Sequence, residues 1–132
     1  MRSLSIFIVS ITLLLSGTLS YAKSINPMRG LNKHLIELNL VEGINSDNEG
    51  LKVSAAYLAG EIKSDMSVIP LLRMFNSGAN DKVRIAAALS LVKIGDPRGL
   101  KAIKFAFQYD DSKYVRDLCK IFYCCYLNHA VN

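Results

Sequence analysis

Histidine is scarce in this 132-residue chain, confined to His34 and His129, far apart in the sequence. Neither is followed by glutamate, no serine or cysteine stands beside either, and no glycine-rich phosphate loop occurs. These absences leave no recognisable constellation for metal, nucleophilic or phosphoryl chemistry. The expectation is a chain that is not an enzyme and takes no cofactor or metal, with His34 a structural residue at the edge of an apolar helix face.

Cysteine is equally sparse. Cys119, Cys124 and Cys125 fall within seven residues on one expected helix. Five or six residues along a helix separate α-carbons by about 8 Å or more, and a bond between neighbours would break the helix. A small-domain disulfide framework is therefore excluded. The three thiols read either as small buried apolar groups, Cys119 most of all, or as partners in a chain-to-chain disulfide through Cys124 or Cys125. Dense basic clusters are missing too. The sixteen lysines and arginines against eleven acids give a net charge of +5, mild for a nucleic-acid binder, so no nucleic-acid partner is expected.

What the chain does have begins with Arg2, an apolar stretch from Ile6 to Leu15, and Ser20-Tyr21-Ala22 ahead of Lys23. That is the pattern of a secretory signal peptide over residues 1–22, and the apolar run is short of the roughly 20 residues a membrane span needs. The expected location is periplasmic or secreted, with membrane association only if the segment stays uncleaved. Residues 23–132 then form one small domain.

Within that domain a pattern recurs every 32 residues. Val83-Arg84 leads to Ala87-Ala88, Leu91 and Gly95-Asp96-Pro97; Leu51-Lys52 with Ala55-Ala56 and Ile62 precedes it by 32, and Val115-Arg116 with Cys119 follows it by 32. A fixed period of this length marks a stacked solenoid. Six helices in three pairs fit. The first starts at Asn26-Pro27, with Leu31, Leu35 and Leu38 on one face, and stops at Gly43; the second carries Leu51, Ala55, Ala59 and Ile62. The third starts near Ser64-Asp65, with Ile69-Pro70 in its early turns, and stops at Asn76-Ser77-Gly78. Asn80-Asp81 cap the fourth, Gly95 ends it, and Asp96-Pro97 starts a fifth whose Leu100, Ile103 and Phe107 face inward. The sixth runs from Lys113 to about Leu127 behind Asp110 to Ser112.

The Val-Arg start, the alanine pair and the Ile-Gly-Asp-Pro end resemble the HEAT-repeat family, in the short bacterial form known from phycobilisome-lyase-like proteins. The resemblance implies an all-α, short right-handed α-solenoid of about three helix pairs, with repeats at about 28–62, 65–94 and 97–127. It makes Val83, Ala87, Leu91 and Ile94 core, Arg84 and Arg116 inter-repeat arginines, and Asp96 a helix cap. Lys52 and Val92 depart from the pattern, and Cys119-Lys120 replaces the last alanine pair, which suggests a terminal, capping repeat. Paired His-Glu motifs of iron-binding relatives are absent. Lyase activity is not carried over, because a fold does not carry chemistry.

The resemblance also implies that the Val-Arg helices line a concave face. Positions opposite each core face, at 100° per residue, are Val53 and Tyr57, Ile85 and Leu89, Asp117 and Ile121. This strip is either an interface or is covered by the superhelix or by the residues after the signal. The implied function is an exported adaptor or scaffold that binds a protein or peptide through that face. The alternative is an accessory protein that binds a small molecule there or assists cofactor attachment. A basic row on the convex side, Arg98, Lys101 and Lys104 with Phe105 among them, is either a solvated face or a dock for an acidic partner or lipid headgroups. The apolar run Ile121 to Leu127 lacks a following repeat and points to a homodimer through the C-terminal helix.

Overall fold

A computed structural model describes residues 32–130, apart from residue 79. The signal segment, the start at Asn26-Pro27 and Leu31 lie outside the described residues. Among those described there are six α-helices and no strands: α1 Lys33–Asn45, α2 Glu49–Glu61, α3 Val68–Ser77, α4 Asp81–Ile94, α5 Pro97–Tyr109 and α6 Lys113–Ala130. A 3₁₀ turn, Asp65–Ser67, leads into α3. None of these helices is long and apolar enough to cross a membrane.

Capping chemistry fixes the starts. Asn48, Asn80 and Ser112, each 32 residues from the next, accept from Leu51 N and Val83 N at 3.0 Å and from Val115 N at 3.4 Å. Asp96 accepts from Arg98 N at 2.8 Å, with Pro97 filling a first-turn position that needs no N–H donor. The ends differ between repeats. Gly95 closes α4 at φ 79°, where glycine has no Cβ to clash, whereas the residue 32 places earlier, Lys63, takes φ 51° with a full side chain. Lys63 is held there by a Schellman motif, Ser64 N donating to Ala59 O at 3.0 Å and Lys63 N to Gly60 O at 3.2 Å.

The pairs α1–α2, α3–α4 and α5–α6 stack as a solenoid in two layers. α2, α4 and α6 pack directly on one another, while α1, α3 and α5 touch more lightly. The alanine pairs explain the asymmetry: Ala56, Ala87 and Ala88 are fully buried, and a Cβ on Gly60 would lie 2.9 Å from the Ser90 backbone. Small residues let α2 and α4 approach closely. The core then continues through Val68, Leu71, Val83, Leu91, Ile103, Val115 and Cys119, with Ile94, Leu100 and Phe107 packed against it.

Two expected faces are corrected. Leu35 and Leu38 are 55% and 40% exposed, and α1 instead buries Leu40 and Ile44. Gly43 selects that side, because even a Cβ there would come within 2.7 Å of Ala55 Cβ, so the glycine stripe has to face α2. Leu51 is also half exposed, at the rim of the same crossing. His34 is exposed and not at a packed edge.

Candidate functional site

Successive second-layer helices are registered by a ladder with the period of the repeat. Glu49, in the first turn of α2, accepts from Asn80 Nδ2 at the cap of α4; Asp81, in the first turn of α4, accepts from Ser112 Oγ at the cap of α6 at 2.5 Å. The third such position is Lys113, which pairs instead with Asp117 in its own helix at 2.6 Å. The ladder thus stops where the described repeats stop. At the other end of the helices Glu61 pairs with Lys93, 32 residues on, and the Lys93 ammonium also lies 4.4 Å from the centre of the Tyr57 ring. Hydrogen bonds from Lys93 and Tyr57 hold the Glu61 carboxyl below its usual range.

This registration brings apolar side chains together on the outer face of the second layer. Between α2 and α4 a groove of about 550 Å³ is lined by Val53, Tyr57, Leu58, Ala86 and Leu89, with Ser54 at its edge. Between α4 and α6 a second groove, of about 700 Å³, runs from Leu89 and Val92 to Ile121, Phe122, Cys125 and Tyr126, with Lys63 and His129 at its border. Leu89 belongs to both. Of the six residues expected to form the strip, Val53, Tyr57, Leu89 and Ile121 line the grooves. Ile85 lines neither, being partly buried against the core, and Asp117 is exposed in its pair with Lys113.

Leu58, Ala86, Phe122, Cys125 and Tyr126 are not among the residues expected from the sequence. Leu58 and Ala86 adjoin Tyr57 and Ile85, one step around the helix, so an angle counted from the core residues misses them. Phe122, Cys125 and Tyr126 stand at i, i+3 and i+4, a readable helical stripe whose direction is set by the Tyr126 ring resting 3.4 Å from the Cβ position of Gly95.

The repeat joint beneath this face is polar. Arg84 donates from Nε to Phe75 O at 3.1 Å and from its two terminal nitrogens to both Asp110 oxygens, while its guanidinium carbon lies 5.5 Å from the Phe75 ring centre. Arg116 repeats the backbone part of this, donating to Asp110 O and Asp111 O. Burial works against ionisation of Asp110, but Arg84 and the Ser112 N–H outweigh it and hold the carboxyl below the usual range.

The cysteines divide as their environments dictate. Cys119 is fully buried, and desolvation pushes its thiol up to about 11; Cys124 and Cys125 are exposed. Iodoacetamide at pH 8 is expected to modify two thiols of the native chain quickly. The third should react at least about a hundredfold more slowly, since its thiolate is scarce as well as covered. Mass spectrometry of digests reads this directly, and rapid labelling of Cys119 would contradict the packing.

On the first layer Arg98, Lys101 and Lys104 are all exposed, as the sequence implies. Arg98 is tied to Asp96 at 3.0 Å, whereas Lys101 and Lys104 make no ion pair with any described carboxylate. Phe105 and Tyr109 stand beside them, ring centres 4.9 Å apart. Among the described residues no cluster of three or more histidine, cysteine or acidic side chains has the placement to hold a metal ion.

Comparison with known proteins agrees with this architecture. A sequence profile for HEAT repeats, helix pairs that generally serve as non-catalytic scaffolds for protein interactions, matches residues 37–120. No curated protein matches the chain. With the paired helices, the 32-residue register of caps and acids, and a profile match over most of the described residues, the chain belongs to the HEAT-repeat family.

Proposed function

We propose that the chain is an exported adaptor: a short right-handed solenoid, delivered by its N-terminal signal to the periplasm or the medium, that holds a protein or peptide segment on its second-layer face. The observation that carries this reading is the position of Leu89, which joins two apolar grooves across three successive helices. A continuous apolar strip with charged rims at Lys93 and Asp117 has the anatomy of an interface, an apolar centre inside a polar border. Burial elsewhere does not need these side chains, since the core is closed by the alanines and leucines beneath. A helix, or an extended segment with spaced apolar side chains, fits the strip.

Replacement of Tyr57 and Leu89 by glutamate is expected to lower partner capture at least about tenfold while helicity is retained, as a charge in the centre of an apolar contact costs most of its affinity. A photo-crosslinker at Leu89, irradiated in intact cells, identifies the occupant. One dominant foreign protein is the result expected, and the absence of any specific product overturns the reading.

The size of the α4–α6 groove supports a second reading, since about 700 Å³ is in the range of small-ligand sites. A coloured or tightly retained small molecule in the purified protein would establish an accessory role in cofactor attachment. A homodimer through α6 is the third use of this surface, with Cys124 and Cys125 placed to lock two copies in an oxidising compartment. Crosslinks from position 89 that lead only to a second copy would establish it.

A further inference from the structure

The outer face of the first layer is chemically unlike the groove side. Neither α3 nor α5 contains a single aspartate or glutamate, and together they carry Arg73, Arg98, Lys101 and Lys104, all exposed. With Arg98 neutralised by Asp96, three cations on this face have no described carboxylate partner. Large apolar groups protrude among them. Phe105 and Tyr109 are 65% and 66% exposed and Ile69 is 43% exposed, so nothing in the fold requires these side chains where they are.

We propose that this face lies against an anionic lipid surface. Lysines and arginines around protruding aromatic rings suit the headgroup region, where the cations meet phosphates and the rings sit between water and acyl chains. An acidic polypeptide is the other partner of matching charge, and the neighbouring groove argues against it. That groove, between α3 and α5, is lined by Arg98 and Lys101 but also by Asp110 and Asp111, so an acidic chain laid along it would meet two carboxylates. A flat surface touches only the ridge formed by Lys101, Lys104, Phe105 and Tyr109. The inference is independent of the docking strip, which lies on the other layer, and leaves that strip turned away from the lipid.

Because the chain has no tryptophan, Phe105→Trp gives a fluorophore reporting on this one position. The full chain is mixed with vesicles of equal parts phosphatidylglycerol and phosphatidylcholine, or of phosphatidylcholine alone. The apolar segment Ile6 to Leu15 has no preference for charge, so the difference between the two vesicles reads the basic face. The expected result is a blue shift of the indole emission from position 105 with anionic vesicles only. Lys101→Gln with Lys104→Gln is expected to weaken that response about thirty-fold, each cation near an anionic surface being worth about fivefold. A Tyr57→Trp chain should show no shift. Silence at position 105, an equal shift with both vesicles, an equal shift at position 57, or a shift caused by polyglutamate and not by vesicles would each overturn the proposal. All the substituted side chains are exposed, and circular dichroism confirms that each variant is folded.

Discussion

Replacing Asp110 by alanine is expected to lower the unfolding free energy by about 2–3 kcal/mol, which denaturant titration would measure. The size follows from what is left behind. Arg84 is four-fifths buried, with a side-chain exposure of 20%, and Asp110 is nearer fully buried at 7%. Removing one member of a fully buried pair costs about 3–5 kcal/mol, mostly from the stranded charge, and the residual water at Arg84 places this site below that range. The alanine also removes the acceptor of the Ser112 N–H, 3.0 Å away, at the turn into α6. Adding Arg84→Met should therefore recover part of the loss, because the charge is no longer stranded. The pH dependence has a definite sign. The folded Asp110 carboxyl lies below its unfolded value, so its contribution is complete above about pH 4 and disappears as pH falls through the folded value. The difference between the native chain and Asp110→Asn should shrink in that acid window. If it were constant down to strong acid, the pair would not be the source of the stability.

That pair also shows which parts of the protein are legible in its sequence. The solenoid is legible because its determinants are local and periodic: caps at Asn48, Asn80 and Ser112, alanine pairs, and a glycine at φ 79° all act within one helix or turn and repeat at 32. The bond from Arg84 to Asp110 is not. Its partner lies 26 residues on in a turn, and the equivalent position for Lys52 is Gly78, so periodicity gives no hint of an ion pair there. The buried face of the first helix escapes the sequence for a related reason. Leu35 and Leu38 are as apolar as Leu40 and Ile44, and only the close approach of Gly43 to Ala55 decides between the two faces.

The candidate site is legible to the same degree. Helical angle alone places Val53, Tyr57, Leu89 and Ile121 on one side, because each is opposite a core residue in its own helix. It says nothing about Lys93 crossing to the Tyr57 ring or about Tyr126 settling on Gly95, which depend on the offset between neighbouring helices. That offset is a property of packing. It is set by Gly60 against Ser90, a contact between residues 30 apart whose small size is meaningful only once the two helices are known to cross.

Leu91→Ala is expected to be the most damaging single change, at about 3 kcal/mol within the 2–5 kcal/mol typical of fully buried leucines. Leu91 is completely buried in α4, the one second-layer helix that packs on both α2 and α6, so the fault would be felt on both sides. The described domain has about a hundred residues and, by the usual 0.05–0.15 kcal/mol per residue, a stability of about 5–15 kcal/mol; one substitution would take a large share. A partner change tests the cause. A Cβ on Gly99 would lie 3.0 Å from Leu91 Cδ2 and 3.2 Å from its Cβ, so Gly99→Ala alone presses α5 against the leucine. In the native background that strain is set against the gain of about 1 kcal/mol from replacing a helical glycine, leaving a small net effect. In the Leu91→Ala background the strain is gone, the methyl enters the vacated space, and Gly99→Ala should stabilise by about 1 kcal/mol or more. The double-mutant cycle therefore predicts strong positive coupling across the α4–α5 contact. Additive effects would mean that α5 does not rest on Leu91, and the order of the first layer would have to be revised.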